Sequence, residues 1–162
     1  MSDHIAQIWK KLDHLARMRE YLSYSIGQVA SLLHIDDWQN LQPDQHETLA
    51  AFRVRFSEYQ EHMGKTMNAV AVEEEKTAEP FTAVLLYMEK LGCIESVIRW
   101  KEIRELRNAV NHDYEDNPAV LHEFFEQMIQ AAPELVRWHN QLDEFCHTTY
   151  RQVDMDTRSS RA

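Results

Sequence analysis

The sequence predicts an all-α chain, a four- to five-helix antiparallel bundle, and three observations carry that expectation. Chain breakers are scarce, with 3 Gly and 4 Pro in 162 residues, while Leu, Ala, Glu, Gln and Arg, all good helix formers, are abundant. Apolar residues recur at spacings of three and four over long stretches. The connections between those stretches are short, as helical bundles require.

The first predicted helix runs from about Asp3 to Leu33, because Ile5, Ile8, Leu12, Leu15, Met18, Leu22, Ile26, Val29 and Leu33 form one sustained stripe. Gly27 weakens it without breaking it. His34 to Pro43 is a connection rich in turn formers, Asp36, Asp37 and Asn40 among them. Pro43 suits the first turn of a second helix, where a missing amide donor costs nothing. That helix carries Leu49, Phe52, Phe56, Tyr59, Met63, Met67 and Val70 on one side, as far as about Glu75. After Pro80 a third helix spans about Phe81 to Leu91 and stops at Gly92, a C-terminal cap residue. A fourth starts near Trp100 and ends around His112, with Ile103, Leu106 and Val110 as its apolar stripe. Pro118 restarts the chain, and Val120, Leu121, Phe124, Phe125, Met128, Leu135, Trp138, Leu142 and Phe145 define a fifth helix that Pro133 is expected to kink. From 153 to 162 the apolar period is gone, so one domain over 1–152 and a frayed tail are expected.

Composition limits the function classes. The formal net charge of −10 opposes broad, nonspecific nucleic-acid binding, which depends on phosphate neutralisation. No apolar run approaches membrane-spanning length, and Met1-Ser2-Asp3-His4 opens no secretory signal. Cys93 and Cys146 are far apart and suit buried thiols in a reducing compartment, so a cytoplasmic location is expected. Charge is unevenly spread, however. Arg99, Lys101, Arg104 and Arg107 form a local basic strip, which fits a site for one or two phosphates or an equal number of pairings with Glu102 and Glu105.

That strip runs into the most distinctive stretch, Arg107-Asn108-Ala109-Val110-Asn111-His112-Asp113-Tyr114. On a helix, Lys101, Arg104, Asn108 and His112 fall opposite the apolar stripe, with Arg107 and Asn111 on the flank. Arg107 and His112 then border a groove centred on Asn108. An arginine fork matches two phosphate oxygens and keeps its charge, and an imidazole takes and returns a proton near neutral pH. Together they suffice for RNA cleavage without a metal: the imidazole deprotonates a 2′-hydroxyl, which attacks the adjacent phosphorus while guanidinium stabilises the phosphoryl oxygens. A solvated helix face that happens to end in His-Asp-Tyr accounts for the same letters.

Arg107-Asn108, three residues, then His112-x-Tyr114 resembles the signature of HEPN-domain proteins of the HepT type, ribonuclease toxins paired with a minimal nucleotidyltransferase antitoxin. The context is similar too: Leu91-Gly92-Cys93-Ile94 before Trp100, Arg104-Glu105-Leu106 before the motif, and Arg55-Phe56-Ser57-Glu58-Tyr59 with Lys65 on the second helix. The resemblance covers about residues 4–150. It implies a HEPN-like bundle, a homodimer that brings two Arg…His motifs together, and RNA, not DNA, as substrate. Under it Arg107 is the phosphate clamp, His112 the general base or acid and Asn108 a positioning residue, with Arg104 and Lys101 as further substrate-binding cations. Tyr114 is the hydroxyl that the cognate nucleotidyltransferase adenylylates, placing negative charge beside the site; a turn-anchoring phenol is the plainer role for it. The resemblance equally admits a non-catalytic substrate- or nucleotide-binding partner subunit of a nucleotidyltransferase, and a purely structural helical adaptor is the third alternative.

Nothing else in the chain competes. His46-Glu47 and His122-Glu123 lack the second His of a zincin pattern, and His139 and His147 are eight residues apart, so no metal and no cofactor is expected. Three scattered Gly cannot build a phosphate loop. Neither Cys has a nearby His that would make it a nucleophile.

Overall fold

The computed structural model describes the backbone of residues 3–32, 37–113 and 117–159, and the side chains as far as 110 and 150 in the last two stretches. Five helices account for it: α1 (Asp3–Ala30), α2 (Pro43–Glu73), α3 (Phe81–Leu91), α4 (Val97–Asp113) and α5 (Pro118–Ser159). Among the described residues there is no strand, and no helix is long and apolar enough to cross a membrane. The chain is an all-α bundle.

Local chemistry sets most of the helix ends. Pro43 opens α2, and the Gln42 amide donates to Gln45 Oε1 at 2.9 Å, so an N-terminal donor finds a side chain. Gly92 closes α3 at φ 79°, a left-handed conformation that costs glycine nothing, and the Cys93 amide turns back to the Met88 carbonyl at 2.9 Å. The fourth helix begins at Val97, three residues before the start expected at Trp100. Ser96 is the reason: its Oγ accepts the Arg99 amide at 2.9 Å, an N-cap bond. At the other end of the chain, α5 is one helix that passes through Pro133, whose ring is on the exposed side, and continues to Ser159. The helix therefore extends past residue 152, where a frayed tail was expected. A missing apolar period means that a segment buries no face; it does not stop backbone bonding from propagating.

Helix α2 is the centre of the bundle, in contact with each of the other four helices. The stripe expected on one side is only part of what it buries: Gln60, Gly64, Thr66, Ala69 and Ala71 are buried as well. Small and polar residues carry no apolar signal, so a helix enclosed nearly all round reads from sequence as merely amphipathic. Side-chain contacts fix the directions of its neighbours. His4 at the start of α1 meets Glu73 at the end of α2 at 2.8 Å, while Arg55 reaches Ser25, so α1 and α2 are antiparallel. Tyr59 pairs with His139 and Glu74 with Tyr150, so α2 and α5 run the same way. Gln60 bonds the Trp100 carbonyl and Arg107 the Ser57 carbonyl, which makes α4 antiparallel to α2.

Aromatic packing fills the interior. Trp100 stacks on Trp138 with centroids 6.0 Å apart, and Phe52 contacts Phe56 and Phe125 at 6.0 and 6.2 Å. Each such buried ring stabilises the fold by about 1.5–3 kcal/mol. Arg99 pins α4 to α5 through a two-toothed contact with Glu134, its Nε donating to Oε1 at 2.9 Å and its Nη2 to Oε2. Cys93 and Cys146 are buried free thiols, and burial pushes them up to about 11 and about 12, which leaves them protonated and unreactive.

One polar pair sits inside this core. Tyr59 Oη and His139 Nδ1 are 2.6 Å apart, with Tyr59 fully buried and His139 nearly so. Burial holds the phenol above its ordinary range and the imidazole below its own, so both are neutral at pH 7 and share one hydrogen bond. For His139 burial outweighs the opposing pull of Asp143, while Arg19 adds to it. The folded imidazole resists a proton that the unfolded one accepts below about pH 6.5. Stability is therefore complete above that pH and is lost as the pH falls toward the lowered folded value. Thermal melts from pH 8 to pH 5 should show this fall for the native chain, with a limiting slope of about 1.4 kcal/mol per pH unit. His139→Gln, less stable at pH 8, should show a flatter profile; parallel profiles would refute the assignment.

Candidate functional site

Four helices leave a cavity between them on the α1–α2–α4 side, with a volume of about 510 Å³. From α4 it receives Trp100, Arg104 and Arg107, at spacings of four and three, one face of the helix. Lys11 comes from α1, Gln60, Gly64 and Lys65 from α2, and Phe81 from the start of α3. Gly64 is where the close packing is tightest. A Cβ there would lie 3.3 Å from Phe81 Cζ and 3.5 Å from Trp100 Cζ2, so the two rings rest against the α2 backbone and form an apolar floor.

The wall is strongly cationic. Lys11, Lys65, Arg104 and Arg107 give four formal positive charges against the single carboxylate of Glu61. Lys65 has that carboxylate at 3.5 Å, an exposed pair of little energetic consequence. Arg104 has no ion pair among the described residues. Arg107 is half-buried; its Nη1 donates to the Ser57 carbonyl at 3.1 Å, and burial lowers its affinity for a proton, Glu61 opposing and Arg104 reinforcing that shift. Two guanidiniums one helical turn apart repel, and a chain with a net charge of −10 holds them together here. An anion between them would relieve the repulsion, and phosphate oxygens match the geometry of the fork.

The basic strip on α4 thus divides into two roles. Arg99 is bound to Glu134 and Glu102 and fastens helices. Arg104 and Arg107 face the cavity. Lys101, half-buried, and Asn108, exposed, are not on its wall. The cavity is centred on Trp100, Arg104 and Arg107 and is distinct from the groove expected around Asn108, whose other border, His112, has its side chain outside the described residues. The reason is rotational: Asn108 lies one residue, about 100°, round the axis from Arg107, which carries it out to solvent. The five residues from Arg107 to His112 turn the helix by about 140°, so the two backbone positions occupy different faces of α4. The His112 side chain and all of Tyr114 lie outside the described residues.

Lys11, Gln60, Gly64 and Phe81 escaped the sequence reading. Lys11 belongs to a row with His4 and Gln7, three and four residues apart beside the apolar stripe of α1, a row visible only once the stripe is given a direction. Gln60 and Gly64 are four apart on α2, a polar and a small residue inside an apolar run, and that interruption was their one signal. Among the described residues no group of three or more His, Cys, Asp or Glu is placed to hold a metal ion. Comparison with protein-family models, with curated proteins and with solved structures returns no match for this chain.

The position of Arg107 allows a test of whether it serves the fold or the cavity. Among the described residues its one bond to protein is to a carbonyl, so Arg107→Met should cost no more than about 1.5 kcal/mol, a few degrees in Tm. A loss above about 3 kcal/mol, measured by urea unfolding, would make Arg107 a structural fastening instead.

Proposed function

We propose that this chain is a metal-independent endoribonuclease of the HEPN type, acting as a homodimer and held inactive by a partner nucleotidyltransferase. One observation supports the reading above the rest: the motif arginine, Arg107, stands with Arg104, Lys11 and Lys65 on the wall of one cavity in an otherwise acidic chain. Cations gathered against the net charge of the molecule point to a phosphate ligand. The sequence resemblance supplies the rest of the assignment, with His112 as proton carrier, Asn108 as positioning residue and Tyr114 as the modified hydroxyl.

The chemistry requires two proton carriers. His112 of one copy takes the 2′-hydroxyl proton, and the 2′-oxygen attacks phosphorus. Guanidinium charge stabilises the phosphorane oxygens as the bond to the 5′-oxygen breaks. His112 of the second copy, protonated, delivers a proton to that leaving oxygen. The products are a 2′,3′-cyclic phosphate and a 5′-hydroxyl end. The rotation of about 140° between Arg107 and His112 favours this division of labour, since one helix offers the two groups to different directions and a twofold copy can join them. Adenylylation of Tyr114, two residues beyond His112, would add a competing phosphate next to the arginines.

A second reading, a nucleotide-binding subunit of a nucleotidyltransferase without hydrolysis of its own, is favoured by the shape of the cavity. At about 510 Å³ it has the size of a small-ligand site and not of a channel for a long strand. Freshly purified protein incubated with RNA in EDTA separates the two. The nuclease reading expects cuts ending in cyclic phosphate, reduced at least about 100-fold by Arg107→Ala and by His112→Ala. No cleavage by unmodified protein leaves the binding subunit. ATP and the partner enzyme should add one adenylyl mass to the native chain and none to Tyr114→Phe.

A further inference from the structure

Gln60 adds a constraint that the cations alone do not. It is 1% exposed, lies on the cavity wall, and donates from Nε2 to the Trp100 carbonyl at 3.2 Å. That bond fixes the amide orientation, since only the N–H end can face a carbonyl. Its Oε1 is buried and has no hydrogen-bond partner among the described residues. A buried acceptor without a donor is unfavourable, and native proteins seldom leave one unless something else supplies the partner. The cavity therefore brings three features together: Gln60 on its wall with a buried acceptor unpaired among the described residues, an apolar floor at Phe81 and Trp100, and a cationic side at Lys65, Arg104 and Arg107.

An aromatic heterocycle that carries an N–H donor and is joined to a phosphate meets all three. The volume of about 510 Å³ falls within the roughly 300–1,000 Å³ of small-ligand sites. We infer that the cavity is a subsite for a single nucleoside monophosphate unit with an amino-bearing base, adenine in the simplest case. The base lies against Phe81 and Trp100, its exocyclic amine donates to Gln60 Oε1, and its phosphate sits among Lys65, Arg104 and Arg107. This assignment rests on the reading that Arg107 holds phosphate and does not depend on cleavage. The same unit can arrive as a free nucleotide or as one residue of an RNA chain.

Calorimetric titration of the full chain compares AMP with purine riboside 5′-monophosphate, which differs only in lacking the amine. AMP should bind at least about tenfold more tightly, because a buried acceptor discriminates against a ligand that leaves it unpaired. Gln60→Met, similar in volume but without the acceptor, should bring the two ligands to equal affinity. Lys65→Ala with Arg104→Ala should weaken both. Equal affinities for the native chain, or no AMP binding at millimolar concentration, overturn the proposal, and this comparison needs no variant to fold. A triadenylate tighter than AMP assigns the subsite to an RNA residue; AMP tighter assigns it to the free nucleotide. Cleavage of RNA with no discrimination between the two monophosphates removes the subsite and leaves the nuclease, whereas discrimination without cleavage does the reverse.

Discussion

A helix enclosed on nearly every side has to satisfy its polar groups inside the protein, and α2 is built around that constraint. Contact with all four other helices leaves Tyr59 and Gln60, adjacent in sequence, without water. Each solves the problem with a different neighbour. Tyr59 meets His139 of α5, a pair in which both members stay neutral because ionising either one in that environment is unfavourable. Gln60 meets the backbone of α4 at Trp100 with half of its amide and leaves the other half unanswered among the described residues. The first pair joins α5 to the core; the second residue sets where α4 lies, and with it the position of Arg104 and Arg107.

Electrostatics and packing pull in opposite directions at that place. Bringing two guanidiniums and two lysines to one cavity is unfavourable by repulsion and, for Arg107, by partial burial. The chain's 27 acidic residues, of which only Glu61 is on the cavity wall, offset this only weakly, since exposed charges more than about 8 Å apart are largely screened at physiological salt. The arrangement persists because helix packing holds it: Gly64 lets Phe81 and Trp100 approach the α2 backbone, and the Arg99–Glu134 contact fastens α4 from its other side. Charge gathered by packing is in a state to receive an anion, and receiving one returns free energy to the fold.

Much of the bundle was legible because its signals are local. Pro43 and Gly92 mark the ends they were expected to mark, since a missing donor and a left-handed φ are properties of single residues. The start of α4 was placed three residues late because Ser96 announces a cap only when its partner amide is known. The end of α5 was placed early because loss of an apolar period was taken as loss of helix. Arg107 and Arg104 were picked out by residue type and position. Lys101 and Asn108 were grouped with them because helical spacing gives a face but not what the face meets.

The sequence by itself determined the helical class and where most of the helices lie along the chain, because periodicity and breakers depend on neighbours along the chain. Tertiary structure alone decided which cations share a cavity. Lys11, Lys65 and Arg104 are separated by dozens of residues, and only the antiparallel fit of α1 and α4 against α2 brings them to one wall. It also decided that Gln60 is a buried acceptor without a donor among the described residues. That property arises when four helices close over a side chain, and no spacing rule encodes it.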